Sequence, residues 1–209
     1  MSIARGENLD EILQPTISQT LALTALEAIA LIIGVYLFAI RRKKLDWFAA
    51  GIKSTTWSWV AVSVAVTLVL IPIVAVVTLV AIFLSGQPME NPQLDFLLPE
   101  GLSALDAFLM LLLAGFIVPF SEELFFRGIL YTFLRERWGI WVAVFISSFI
   151  FGLIHGNFAV GLTGFLLGVT AALLYEYSKS LWTAVIVHVI NNSLKIALLY
   201  GLVLLGFEL

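Results

Sequence analysis

Apolar positions in this chain come in long blocks rather than in the short periodic stripes of a soluble protein. The first block runs from about Thr20 to Ile40 and stops at Arg41-Arg42-Lys43-Lys44. A second, Trp57 to Leu84, is about 28 residues long and contains Pro72. At a rise of about 1.5 Å per residue, one crossing of a hydrocarbon core roughly 30 Å thick takes about 20 residues. Both blocks therefore predict transmembrane helices, the second tilted or kinked at its proline, which neighbouring groups make tolerable. The connector Ser85–Gly101 holds three prolines, three acids and no Lys or Arg, and reads as an outer loop. A third block leads from Leu102 through Pro119 to Arg135-Glu136-Arg137. The fourth, Trp141 to His155, turns at Gly156-Asn157 into a fifth that ends near Tyr177 to Lys179, and the sixth extends from Leu181 to Phe207. The pattern predicts an all-α, polytopic transmembrane helical bundle of about six spans, forming a single membrane domain over residues 1–209.

Charge sharpens the topology. Of 11 Lys and Arg residues, Arg41, Arg42, Lys43, Lys44, Lys53, Arg135, Arg137 and Lys179 fall at the same ends of the predicted spans. Only Arg5 falls in an outer segment, while Arg127 and Lys195 lie within spans. Positive residues mark cytoplasmic loops, so the clusters 41–44 and 135–137 are expected in the cytoplasm of a multi-pass cell (plasma) membrane protein. All six tryptophans, at 47, 57, 59, 138, 141 and 182, sit near those ends, as interfacial aromatics do. Composition agrees: 61% of residues are hydrophobic and 12% charged, against about 25% charged in soluble domains. The absence of cysteine excludes disulfides, thiolate metal sites and a cysteine nucleophile. Residues 1–15 lack the basic-then-apolar pattern of a cleaved signal, so no cleavage is expected. In the fifth span, Gly164-x-x-x-Gly168 reads as a close-packing motif.

The candidate chemistry is the set of polar residues inside the spans, where a charge costs roughly 3 kcal/mol on insertion scales and marks function by default. In Ser121-Glu122-Glu123-Leu124-Phe125-Phe126-Arg127-Gly128, Glu123 and Arg127 are i and i+4 on one helix face, and Glu122 is turned about 100° away. Arg127 is expected to hold Glu123, leaving Glu122 free to face a cavity; the bland alternative is an ion pair that fixes packing. His155 shares a face with Phe151. On the sixth span His188, Asn192 and Lys195 form one polar stripe, which read alone can also be interhelical hydrogen-bond glue. Measured from the inner ends, Glu122 and His155 lie roughly 22 Å deep and His188 to Asn192 roughly 10 to 16 Å, so tilt can bring them into one layer. A carboxylate, two imidazoles and a carboxamide suit activation of water: Glu122, helped by His155, takes the proton while His188 and Asn192 donate to the oxyanion. Ser121 ranks low as a nucleophile, with no histidine near it in sequence. No cofactor is favoured; the alternative is Zn2+ held by Glu122, His155 and His188 with one open position, although no His-Glu-x-x-His helix is present.

Three patterns occur in order: Glu122-Glu123 with Arg127, Phe151 with His155, and His188 with Asn192. Together they resemble the motifs of the CPBP intramembrane proteases, the CAAX-protease and bacteriocin-processing or Abi family, over about residues 105–205. The resemblance implies an intramembrane endopeptidase acting on membrane-associated proteins or peptides, prenylated ones among them. It implies Glu122 as catalytic base, His155 assisting it, His188 and Asn192 as the oxyanion site, and Glu123 and Arg127 as supporting residues. Both metal-dependent and glutamate-dependent mechanisms fit such a family, and the residues favour the glutamate-dependent one. The expected partners are the lipid bilayer and a membrane-associated protein or peptide substrate, with no nucleic acid. Two other classes remain open at this level: a non-catalytic membrane scaffold or bacteriocin-immunity-type protein with a polar packing layer, and a small transporter with a proton relay, against which stands the lack of an internal repeat.

Overall fold

A computed structural model describes residues 16–86, 97 and 103–205. The described residues contain six long helices and no strand. They are α1 (Ile17–Arg41), α2 (Trp57–Ser85), α3 (Ala104–Trp138), α4 (Ile140–Leu153), α5 (Phe158–Ser178) and α6 (Leu181–Leu204). Five of them are long and apolar enough to cross a membrane; α4 is the shorter apolar one. At about 1.5 Å per residue its 14 residues span roughly 21 Å, so the fourth crossing is shorter than the expected Trp141–His155 span, and His155 lies beyond its end. The connector expected outside, the residues around Arg5 and the expected end of the last span at Phe207 lie outside the described residues.

The helices begin where their first turns can be capped. Thr16 and Gln19 form a reciprocal capping box that starts α1 three residues before the apolar block begins, and Ser103 with Asp106 does the same for α3. Along α1 the buried residues are Thr20, Thr24, Ala28, Val35 and Ala39; along α2 they are Ser63, Thr67, Val74 and Ile82. Small and hydroxylated side chains thus face the bundle, while Leu68, Ile73, Leu79 and Phe83 point outward. In lipid, close approach of helices favours small inward residues, and large apolar ones lose nothing by facing the tails. Three of the inward hydroxyls bond within their own helices: Thr24 donates to the Thr20 carbonyl at 2.8 Å, Ser63 to the Trp59 carbonyl at 2.9 Å and Thr67 to the Ser63 carbonyl at 2.7 Å. Pro72 leaves α2 one continuous helix.

The helix carrying the acidic motif, α3, is not a uniform α-helix. Its register loosens to π-helix at Leu113–Ile117 and again at Leu124–Tyr131, with an α-helical turn at Val118–Glu123 between them. The Val118 N–H bonds the Leu113 carbonyl, five residues back, and Pro119 has no N–H to give the carbonyls behind it. The two carbonyls left there are met from α6: Asn192 Nδ2 donates to Ala114 O at 3.4 Å and Ser193 Oγ to Gly115 O at 3.1 Å.

Two close backbone approaches set the rest. A Cβ on Gly152 would stand 2.5 Å from the Gly161 carbonyl, so α4 and α5 cross at a glycine pair. A Cβ on Gly128 would stand 2.7 Å from the Ala50 carbonyl, where the segment between α1 and α2 packs against α3. That segment also pins the start of α6, through Leu181 N–H to Gly51 O at 2.8 Å and Ser180 Oγ to Lys53 O at 2.7 Å. At the same end, Glu176 accepts from Tyr131, Arg135 and Lys179 at 3.0, 2.7 and 2.6 Å.

Candidate active site

Everything at the site follows from one buried turn of α3 facing α6. Glu122 and Glu123 are both buried. Glu123 Oε1 accepts from Arg127 Nη1 at 2.8 Å, one turn along, with both side chains fully buried. The same oxygen lies 2.8 Å from His188 Nδ1 on α6. A carboxylate oxygen can only accept, so Nδ1 carries a proton and His188 presents Nε2 to the other side. There Glu122 Oε2 stands 3.5 Å away. The 100° between successive helical residues leaves Glu123 with Arg127 and turns Glu122 to a cavity, as the spacing implied, and it also sets the two carboxylates on the two edges of one imidazole.

Aromatic packing holds the imidazoles. The Phe151 ring on α4 meets His188 edge-on, with centroids 5.5 Å apart, and His155 at 5.1 Å. The guanidinium of Arg127 lies over the same ring, 4.9 Å from its centroid, a favourable cation–π placement. His155 Nδ1 is 2.7 Å from the Phe151 carbonyl. The carbonyl accepts, so Nδ1 is protonated and Nε2 keeps its lone pair for a proton or a donor. Gly164 and Gly168 give this layer its room. A Cβ on Gly164 would touch the His155 ring at 3.5 Å, and one on Gly168 would come within 3.0 Å of Arg127 Nη2 and the Ser148 Cβ. The expected packing motif is thus also a wall of the site.

Glu122, His155, His188 and Asn192 all line one cavity of about 230 Å³. The unequal depths counted along straight helices close up for two reasons. The π-helical stretch Leu124–Tyr131 takes more residues per turn between Glu122 and Arg137, and His155 lies in a turn rather than on a rising helix. Asn191 Nδ2 donates to Asn192 Oδ1 at 3.0 Å, which fixes the Asn192 amide with its nitrogen toward Ala114. Lys195 lines the cavity, and so do Thr24 and Glu27 from α1. Glu27 was missed by the sequence reading, although it is the one charged residue between Thr20 and Ile40. Among the described residues no three His, Cys, Asp or Glu side chains converge as ligands for one metal ion.

Residues 104–194 match the family described as type II CAAX prenyl endopeptidase Rce1-like. All three motifs lie within that segment, consistent with the CPBP resemblance. The chain is 33% identical over 85 residues to the "Putative membrane peptidase YdiL" of Bacillus subtilis (strain 168), covering 41% of this chain and 35% of that protein. It is 31% identical over 132 residues to an uncharacterized 24.3 kDa protein of Escherichia coli, covering 60% of each. The matches thus span from about a third to three fifths of the length of these curated relatives. No solved structure matches the chain.

Proposed function

With residues 104–194 Rce1-like, we propose that this chain is an intramembrane endopeptidase that hydrolyses membrane-associated proteins or peptides with water activated by Glu122. The observation that carries the reading is the shared cavity: a buried carboxylate, two imidazoles and a carboxamide from α3, the α4–α5 turn and α6 line about 230 Å³ of common space. Such a volume holds several waters and the carbonyl of an extended peptide.

In this mechanism Glu122 takes a proton from water as the oxygen attacks the scissile carbonyl, with His155 Nε2 as its assisting acceptor. The proton then passes from Glu122 to the leaving amine. In this role His188 acts as the imidazolium: its Nδ1–H is held by Glu123, its Nε2–H donates to the developing oxyanion, and the second amide hydrogen of Asn192 is the other donor. Arg127 acts through Glu123: it fixes the carboxylate that orients His188. Preorganised donors in a water-poor site act without reorganising during the reaction, which is why buried support of this kind matters. No metal takes part in these steps. We assign the ends at 41–44 and 135–137 to the cytoplasmic side of the plasma membrane on their charge.

The test is hydrolysis of a lipidated or transmembrane peptide by the purified protein in lipid nanodiscs. A product whose formation is lost in Glu122→Gln is expected. Undiminished turnover in that variant overturns the reading. A chain that binds a partner, folds normally and never yields a product is instead a scaffold or immunity protein.

A further inference from the structure

Lys195 is the one ionisable residue of the cavity that the mechanism above does not use and that carries a positive charge. It stands inside α6, nine residues before the helix ends at Leu204, or about 14 Å along the axis. A cation at such a position is expensive unless it faces a polar interior or finds a partner. Among the described residues none of the ion pairs involves Lys195. Glu27 lines the same cavity from α1, yet no ion pair joins the two. Arg127, the other cation within a span, is paired with Glu123.

We propose that the Lys195 ammonium is an anion subsite that takes a carboxylate of the peptide substrate, an inference that rests on the peptidase reading. Asn192 and Lys195 are one turn apart on the same stripe of α6, and His188 lies one turn further back. From His188 to Lys195 the axial distance is about 10 Å. An extended peptide advances about 3.3 Å per residue, so a carboxylate at Lys195 lies about three residues along the peptide from a carbonyl at His188. An ammonium with no ion pair among the described residues that gains one in the complex raises affinity for the charged ligand without any change at the reacting atoms. Two sources present this chemistry: the free carboxylate at a chain's end, and an acidic side chain.

The experiment uses one transmembrane peptide in three forms: a free C-terminal acid, its amide, and an amide ending in aspartate. With the wild-type protein in nanodiscs, KM for the preferred carboxylate form is expected to be about tenfold below that for the plain amide, as for a hydrogen bond to a charged group. In Lys195→Met that ratio falls to near one, and Lys195→Arg restores it. Preference for the terminal acid assigns the subsite to the chain end; preference for the aspartyl form assigns it to a side chain. Binding of the same peptides to Glu122→Gln protein, measured by calorimetry, follows the same order. A ratio unchanged by Lys195→Met, or equal binding of carboxylate and plain amide forms, overturns the subsite. Protein that cleaves none of the peptides but binds the carboxylate form through Lys195 overturns the peptidase reading and leaves the subsite standing.

Discussion

Glu123 and His188 are joined at 2.8 Å across α3 and α6, through the same carboxylate oxygen that Arg127 reaches at 2.8 Å. One buried anion is therefore shared by a guanidinium on its own helix and an imidazole on another. Its removal leaves Arg127 charged, fully buried and unpaired. Breaking a buried pair from one side costs about 3–5 kcal/mol. Glu123→Ala is accordingly expected to lower the thermal midpoint in detergent by more than any other single change at the site, with loss of turnover. Arg127→Lys is not expected to rescue the bridge, because an ammonium cannot keep both the planar stack on Phe151 and the contact with Glu123. A midpoint unchanged in Glu123→Ala contradicts the shared-anion account.

Glu122 is predicted to behave differently from its neighbour. It makes no ion pair with Arg127 among the described residues, and its contact is the 3.5 Å approach to His188. Glu122→Gln is expected to abolish product, a loss of at least about 10²-fold for a general base, with little change in the unfolding midpoint. Asn192→Ala is expected to lose about 10² to 10³ in kcat and to leave KM close to its starting value. Full activity with Asn192 truncated would remove it from the oxyanion role.

The helix crossing gives a prediction free of catalysis. Gly152→Ala pushes a methyl to 2.5 Å from the Gly161 carbonyl. Backbone cannot move aside as a side chain can, so a loss of about 1–3 kcal/mol is expected, in the range for overpacking. Gly201→Ala, with nothing within 4 Å in a helix interior, is expected to be neutral or stabilising by up to about 1 kcal/mol. Paired unfolding curves of the two variants check the contrast, and equal behaviour would refute the close crossing.

Metal dependence is open to a direct measurement. The proposed steps run through Glu122 and water alone, so turnover is expected to survive exhaustive chelation, with no stoichiometric zinc in elemental analysis of active protein. Activity lost on chelation and restored by added zinc would refute the metal-free scheme.

Much of this molecule is legible in one dimension. Block length alone locates the long helices, because the thickness of a bilayer and the rise of a helix permit few other solutions. The spacing of Glu123 and Arg127 is enough to pair them, since i and i+4 face each other on any helical turn. Less visible was the role of α1. Glu27 and Thr24 reach the cavity from a block read only as a transmembrane span, although an isolated acid in an apolar run was a signal that could have found them. Helix length also misled at the fourth block, where His155 belongs to a turn and not to the span.

What the sequence by itself determined is the all-α membrane architecture and the order of the polar groups, because burial in lipid dictates helix and because every charge within a span needs a reason. What only the tertiary structure decided is which groups meet. Helical periodicity assigns Glu122 and Glu123 to different faces, yet a single imidazole from α6 touches both, because His188 has two nitrogens on opposite edges. The opening for it comes from Pro119 and the π-helical turns that shift α3, and from glycines that let α5 and α4 close in behind. Those are contacts between residues far apart in the chain, and no local pattern encodes them.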